Sequence, residues 1–510
     1  MAEEIKVLKN FCEERGIEFD DSKTSLIAYS RDLYPFAQLS FLYGNFPYHK
    51  PSLVVRPARE KEVVDLVKFA SEHSINIIPY GAGSGVCGAT LPLRNEVIID
   101  LKRMNRILDI DTENRVVVME PGIIGERLER ELNFHGFTLG HFPSSIYCSS
   151  PGGWVAARSA GQFSTFYGKI EDILLGFRGV LPGGKVVDTG ILPGGVLYPN
   201  FLEIAAGSEG TMIIFTRLYF RIYPLPEKRA FLGFRFKSVE AGLNAMRKIV
   251  QAGIRPPVMR LYDELDTIMV GSGEKDETAK RENFIKEKFR EISGKYPEII
   301  KRAERYFLKH GNWLAKMINL LPGENLLIIM FEGEEDIVDA EREAVRRICK
   351  SSGGKDMGEA PGRSWYETRY HVSYKQSPVY FTGGFVDTME VATVWENLPR
   401  LYHGMRKAFG KHVVVMAHFS HAYYDGANIY FTFAGFRDTQ REAEELYREV
   451  WRDALKACTE LGGTITHHHG VGVLKAAFMD REWGRGIEII RGLKSVIDEN
   501  NIFNPGKLGL

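Results

Sequence analysis

Three adjacent histidines, His467, His468 and His469, run into Gly470-Val471-Gly472 and form the most unusual string in the chain. Neighbouring side chains point in different directions on any backbone, so the three cannot all ligate one metal. The spaced Cys, Asp and Glu ligands typical of a zinc site are also missing, and no metal centre is expected. An imidazole titrates at about pH 6.5, so these groups can bind an anion when protonated, pass protons, or lie buried in structural hydrogen bonds. A second polar cluster runs from 417 to 431 and includes His418, His421, Tyr423 and Tyr430. On a strand over 429–433, Ile429, Phe431 and Phe433 share one face while Tyr430 and Thr432 share the other, which frees the phenol to enter a pocket. A phenol acts as a base near neutral pH only where positive charge or hydrogen-bond donors lower its pKa, and nearby imidazoles could supply that. Arg260 lies between apolar neighbours in Val258-Met259-Arg260-Leu261-Tyr262-Asp263 and, if buried, needs a partner, either Asp263 or an anionic ligand. Arg369 and Lys375, in an aromatic segment over 365–380, are further phosphate or carboxylate candidates.

Such residues need a scaffold, and its strongest signal is a glycine-dense loop after the apolar run 75–78: Pro79, Tyr80, Gly81, Ala82, Gly83, Ser84 and Gly85. Glycine holds no side chain against a ligand and tolerates positive φ, so backbone N–H groups there can converge on a phosphate. Gly83, Gly85 and Gly88 satisfy the spacing G-x-G-x-x-G, but the loop leads into a strand at 96–100 and not into a helix, so a Rossmann nicotinamide site is rejected. Two further tracts are dominated by small residues, 143–161 around Trp154 and 207–211. They have too little bulk to fill a core and are read as the walls of a groove for an extended cofactor. Strands and helices alternate around these loops, with a helix over 60–74 that turns Val63, Leu66, Val67 and Ala70 to one side. Pro224 and Pro226 close this α+β domain. Beyond it, strands at 230–236, 258–262, 325–332, 413–418 and 429–433 alternate with helices at 238–251, 277–305, 335–351 and 440–461, as in a substrate-binding domain. Residues 1–50 are read as an aromatic-rich N-terminal cover. The stretch 306–322 is either an amphipathic core helix or an apolar lid or interfacial segment for a long-chain substrate.

Composition excludes several classes. Lys plus Arg equals Asp plus Glu at 66 each, so no global field favours nucleic acid or an anionic membrane. Five scattered cysteines without a C-x-x-C pair argue for a reducing compartment and against an iron–sulfur or zinc site. With a charged start and no apolar run of about 18 residues, a cytoplasmic protein is the expectation.

With these motifs assembled, the chain resembles the flavin-binding family named after vanillyl-alcohol oxidase and p-cresol methylhydroxylase, and within it the alkyldihydroxyacetonephosphate synthases. The resemblance covers roughly residue 50 to the end. It rests on the loop at 79–85, P-S-S-I-Y-C-S-S-P-G-G-W at 143–154, Y-G-K-I-E-D at 167–172, G-S-E-G-T at 207–211, R-L-Y-D at 260–263, S-H-A-Y-Y-D-G-A-N-I-Y-F at 420–431, H-H-H-G-V-G at 467–472 and N-I-F-N-P-G-K at 501–507. It implies a two-subdomain FAD-binding domain over 51–226, a substrate or cap domain over 227–470 and a C-terminal segment, 471–510, that returns to the flavin. It implies FAD held along Pro79 to Gly85, along Pro143, Ser144, Ser145, Ile146, Tyr147, Cys148 and Ser149, along Ala156, Ala157, Arg158 and Ser159, and along Gly207, Ser208, Glu209, Gly210, Thr211, Met212 and Ile213. Ser84 or Gly85 stands where covalently flavinylated relatives carry an attached histidine, so non-covalent FAD is expected. Tyr430 is cast as the proton-transferring residue, with His467, His468, His469 and Arg260 beside it, and Arg369 or Lys375 as the substrate-phosphate group. The implied reaction exchanges the acyl group of acyl-dihydroxyacetone phosphate for a fatty alcohol; the alternative is dehydrogenation or oxidation of a 2-hydroxy acid such as D-lactate or glycolate. No nucleic acid partner is expected; peripheral contact with the inner membrane face through 306–322 and a homodimer are further options.

Overall fold

A computed structural model describes residues 2–43, 49–191, 200–270, 324–371 and 383–510, with the isolated positions 302, 305, 306, 308, 309, 379 and 380. The chain divides into two units, one of Met1–Gly161, Tyr167–Leu225 and His468–Leu510, the other of Gln162–Phe166 and Pro226–His467. Lys375, most of the 306–322 stretch and nearly all of the helix expected over 277–305 lie outside the described residues.

In the first unit the strands Glu18–Asp20, Leu53–Arg56, Val97–Asp100 and Ile77–Tyr80 stand side by side in that order, the first pair antiparallel and the rest parallel. Parallel strands need a crossover, and the helix Glu60–Glu72 supplies it. Its Val63, Leu66, Val67 and Ala70 are buried, as their spacing predicts. A second sheet, antiparallel throughout, orders Ile107–Asp111, Val116–Met119, Ile214–Arg221, Leu174–Leu181 and Lys185–Asp188. The N-terminal residues supply the edge strand Glu18–Asp20 and bury Leu8 and Cys12 in the same core as Leu53 and Val55. At the other end of the chain, the Ile77 N–H donates to Ile502 and the Asn504 N–H donates to Ile77, so the last residues flank the strand that feeds the glycine loop.

The second unit is built on a seven-stranded antiparallel sheet ordered Lys355–Asp356, Lys228–Phe236, Asn325–Gly333, Val258–Tyr262, Val414–Phe419, Gly426–Gly435 and Phe385–Val394. Ile429, Phe431 and Phe433 are fully buried on one face, where Phe409 of the helix Leu398–Phe409 packs its ring 5.3 and 5.1 Å from those of Phe431 and Phe433. The alternation leaves Tyr430 and Thr432 on the opposite face, as the sequence predicts. The strand Phe385–Val394 and the helix Leu398–Phe409 are additions to the sequence reading. Asp387, Thr388 and Glu390 interrupt the strand's apolar run, yet all three are buried. Asp387 is satisfied inside the core by the Tyr447 hydroxyl at 2.5 Å and the Trp451 indole N–H at 3.0 Å.

Candidate active site

In an antiparallel sheet, directly opposed residues project from the same face, so strand register decides which side chains meet. Tyr262 is opposite His418, His418 opposite Tyr430, and Tyr430 opposite Glu390. Four strands thus set a polar row of phenol, imidazole, phenol and carboxylate across the face opposite the one that packs on the helix Leu398–Phe409. The His418 and Tyr430 rings stack at 4.8 Å with 17° between planes. The Tyr430 hydroxyl donates to Thr388 Oγ1 at 3.1 Å.

Around Tyr430 the electrostatics run against the sequence expectation of a lowered phenol pKa. Burial pushes it up to about 12, with Glu390 adding to the rise and the Thr388 bond and the Arg260 charge pulling the other way. The neighbouring imidazole brings no positive charge, because His418 is buried beside Arg260 and its pKa is held well below the ordinary value. Tyr430 is therefore a neutral phenol at neutral pH, a holder and donor of a proton.

Arg260 is in this row's company, since it lies two residues from Tyr262 on the same strand face. Its Nη2 donates to Nε2 of His418, whose Nδ1 lies 3.0 Å from Asp266 Oδ2. Of the two partners left open for Arg260, Asp263 is excluded. The Asp263 carboxylate accepts from Arg406 Nη1 at 2.9 Å, the Tyr402 hydroxyl at 3.2 Å and the Ala417 N–H at 2.9 Å. Among the described residues the Nε of Arg260 is buried without an acceptor. Arg369 is in a similar condition: its Nη1 donates to the Tyr366 carbonyl, its guanidinium lies 3.9 and 4.5 Å from the Tyr366 and Tyr370 ring centres, and its Nε has no acceptor among the described residues.

The chain crosses from one unit to the other inside the triple histidine, with His467 in the second unit and His468 and His469 in the first. His467 is positioned twice: its N–H donates to Glu390 Oε1 at 3.2 Å, and its Nε2 lies 2.6 Å from the Tyr423 hydroxyl. Its ring stacks at 5.1 Å on His421, which pairs through Nδ1 with Ser164 Oγ at 2.6 Å. His468 and His469 pack edge to face at 4.5 Å. Glu390, Asp266 and Thr388 are functional candidates absent from the sequence expectations, and His418 is expected only as part of the 417–431 cluster; strand register places Glu390, His418 and Thr388, and the contact with His418 places Asp266.

The three small-residue loops of the first unit interlock. Gly83 has φ +68°, and a Cβ there would lie 1.9 Å from the Tyr80 hydroxyl. A Cβ on Gly81 would lie 2.4 Å from Ser150 Oγ, and one on Gly210 3.0 Å from Pro79. Ser150 and Ser208 are buried, and their hydroxyls have no hydrogen-bond partner among the described residues. Glycine backbone beside unsatisfied buried hydroxyls fits the polar diphosphate of an extended dinucleotide cofactor. Not every expected cofactor residue turns its side chain to that task. The Arg158 guanidinium donates to the Ala206 carbonyl and to Glu203, and Ser149 Oγ accepts from the Trp154 indole at 2.7 Å. The Glu209 carboxylate accepts the Val471 and Gly472 N–H groups at 2.6 and 2.8 Å, and a Cβ on Gly470 would lie 2.3 Å from it. Burial lifts the Glu209 pKa to about 7 against these two donors. The C-terminal N-I-F-N-P-G-K string staples the loops, with Asn504 Nδ2 donating to the Glu209 carbonyl at 2.7 Å and the Ala89 carbonyl at 2.9 Å.

Comparison with known proteins agrees with this geometry. The family described as FAD binding domain matches residues 51–190, and the family described as FAD linked oxidases, C-terminal domain, matches residues 225–508. The alkyldihydroxyacetonephosphate synthase of Dictyostelium discoideum is 32% identical over 470 residues, covering 90% of this chain and 73% of that protein. A solved structure of an alkyldihydroxyacetonephosphate synthase superposes with a TM-score of 0.75 at 28% identity, covering 99% of this chain and 84% of the other. The structure of p-cresol methylhydroxylase with substrate bound superposes with a TM-score of 0.69 at 17% identity, covering 96% and 94%, and shares the fold. The chain belongs to the FAD-linked oxidases of the p-cresol methylhydroxylase fold, as an FAD-dependent enzyme in the part of the family that resembles the alkyldihydroxyacetonephosphate synthases.

Proposed function

We propose that the enzyme exchanges the acyl group of acyl-dihydroxyacetone phosphate for a fatty alcohol, making the ether bond of an ether lipid. The observation that carries this reading is Arg260, a guanidinium with a buried, unpartnered Nε beside the Tyr430 phenol, which suits a substrate bearing an anionic group next to a proton-transfer step. Arg369, with its own unpartnered buried Nε, is a second phosphate ligand in this reading; Lys375 is the alternative. FAD, when bound, supplies an electrophilic ring to the substrate carbon. The residues of the first unit hold it without a covalent bond, because Ser84 and Gly85 offer no imidazole for attachment. Tyr430 holds and moves a proton at its phenolic oxygen, and Thr388 fixes the direction of that oxygen. His467, fixed by Glu390 and Tyr423, is a neighbouring proton carrier. The ester C–O bond breaks, the acyl chain leaves as a carboxylate, the alcohol oxygen forms the new C–O bond and gives up its proton, and no electrons are gained or lost overall.

No helix among the described residues is long and apolar enough to cross a membrane. We place the enzyme in the cytoplasm, with its long-chain substrates presented at the inner membrane face. Arg260 would also suit the carboxylate of a 2-hydroxy acid, which gives the second reading its footing. The test incubates purified holoenzyme with acyl-dihydroxyacetone phosphate and labelled hexadecanol, without an electron acceptor. Labelled ether product supports the exchange; rapid anaerobic bleaching of the flavin by D-lactate or glycolate, with no ether product, supports the dehydrogenase.

A further inference from the structure

We propose that Asp266 and His418 are positioning residues that aim Arg260 at an anionic oxygen of the substrate, and that His418 does so in its Nδ1–H tautomer. The identity of that anion rests on the function proposed above; the positioning itself does not.

The tautomer is dictated from both ends. A carboxylate only accepts, so the His418 nitrogen 3.0 Å from Asp266 Oδ2 carries the proton. A guanidinium only donates, so the His418 nitrogen that meets Arg260 Nη2 presents its lone pair. A protonated ring would set one N–H against another. Burial and the Arg260 charge both push the imidazole toward its neutral form. The ring is held by the Tyr430 stack at 4.8 Å and by Tyr262 at 5.7 Å.

The consequence concerns charge. Had Asp266 paired directly with Arg260, the guanidinium would be neutralised in place. With a neutral imidazole between them, its direction is set while its charge stays available to a ligand. Among the described residues no carboxylate forms an ion pair with Arg260, and Asp263 is engaged by Arg406. The guanidinium carbon lies 5.8 Å from the ring centres of both Tyr262 and Trp365, and Nε is buried without an acceptor. A buried donor of this kind is completed by an oxygen that arrives with the substrate.

The test uses FAD-loaded enzyme and the variants H418Q, H418N and D266N. Glutamine can place an acceptor where Nε2 stood; asparagine keeps a donor toward Asp266 but offers Arg260 nothing. KM for acyl-dihydroxyacetone phosphate should rise about tenfold or more in H418N and D266N, with a smaller change in kcat, and H418Q should recover most of that loss. Two readouts need no turnover. Nitrogen-15 histidine spectra should show His418 protonated at Nδ1 and bare at Nε2 from about pH 6 to 9. Inorganic phosphate should raise the melting temperature of the wild type and H418Q but not of H418N. A proton on Nε2, or an H418N enzyme with bound FAD and wild-type KM and phosphate response, overturns the proposal. If no phosphorylated lipid is turned over, the functional reading fails, while the nitrogen spectra and the phosphate response still decide the positioning.

Discussion

In the proposed exchange, Tyr430 concentrates the chemistry that a single residue carries. In that exchange its hydroxyl moves the proton, so Tyr430→Phe should retain FAD and folding while lowering kcat by about 10²–10⁴-fold. Turnover at the wild-type rate with bound flavin would remove the phenol from the reaction. Because its pKa is pushed up to about 12, ionisation of the free enzyme's phenol should place no limb on the kcat/KM profile between about pH 6 and 10. A limb in that window that disappears in Tyr430→Phe would show that the phenol is far more acidic. Glu209 gives a prediction of opposite accessibility. Its folded pKa is raised from 4.5 to about 7, so its contribution to stability is fully present below 4.5 and is lost as pH rises toward 7. The stability of the wild type relative to Glu209→Gln, from urea melts at each pH, should therefore fall across that range and flatten above it. An unchanged difference would mean that the carboxylate stays ionised throughout.

Elements decide which of these residues meet. The loop geometry makes Gly83 irreplaceable: its φ is positive, and an added methyl group would stand 1.9 Å from the Tyr80 hydroxyl. Gly83→Ala should therefore lose about 1–3 kcal/mol and much of its bound FAD, read by melting and by flavin absorbance. The strand ends of the second sheet converge on Asp263, where one carboxylate ties a strand, a helix arginine and a tyrosine together. Asp263→Ala should cost about 3–5 kcal/mol, because it strands the mostly buried Arg406. Most elements were legible in the sequence, since the helices and central strands carry clean periodicities, as at Val63, Leu66, Val67 and Ala70 or at Ile429, Phe431 and Phe433. The strand Phe385–Val394 was not, because its buried Asp387 and Glu390 read as surface residues and only their cross-strand partners explain them. His418 stood in the polar cluster over 417–431, but its pairing with Asp266 was not legible, because Asp266 is ordinary in its own helix Glu264–Val270 and only the fold brings the two together. The glycine loop and the triple histidine stood out because their composition is abnormal for any merely structural segment.

At the scale of the whole molecule, the chain assigns cofactor loops to one unit and the tyrosine row to the other, and passes between them at Gly161–Gln162, Phe166–Tyr167, Leu225–Pro226 and His467–His468. The family match spans both units, so the FAD machinery and the row belong to one enzyme. The proposal at this scale is an exchange without net redox on a phosphorylated lipid. It is decided by a single incubation of holoenzyme with acyl-dihydroxyacetone phosphate and labelled hexadecanol under anaerobic conditions, following ether product and flavin absorbance together. We expect many turnovers of ether product per flavin, with the flavin oxidised at the end and no acceptor added. Product that stops at one equivalent per flavin, or appears only when an electron acceptor is supplied, would refute the exchange.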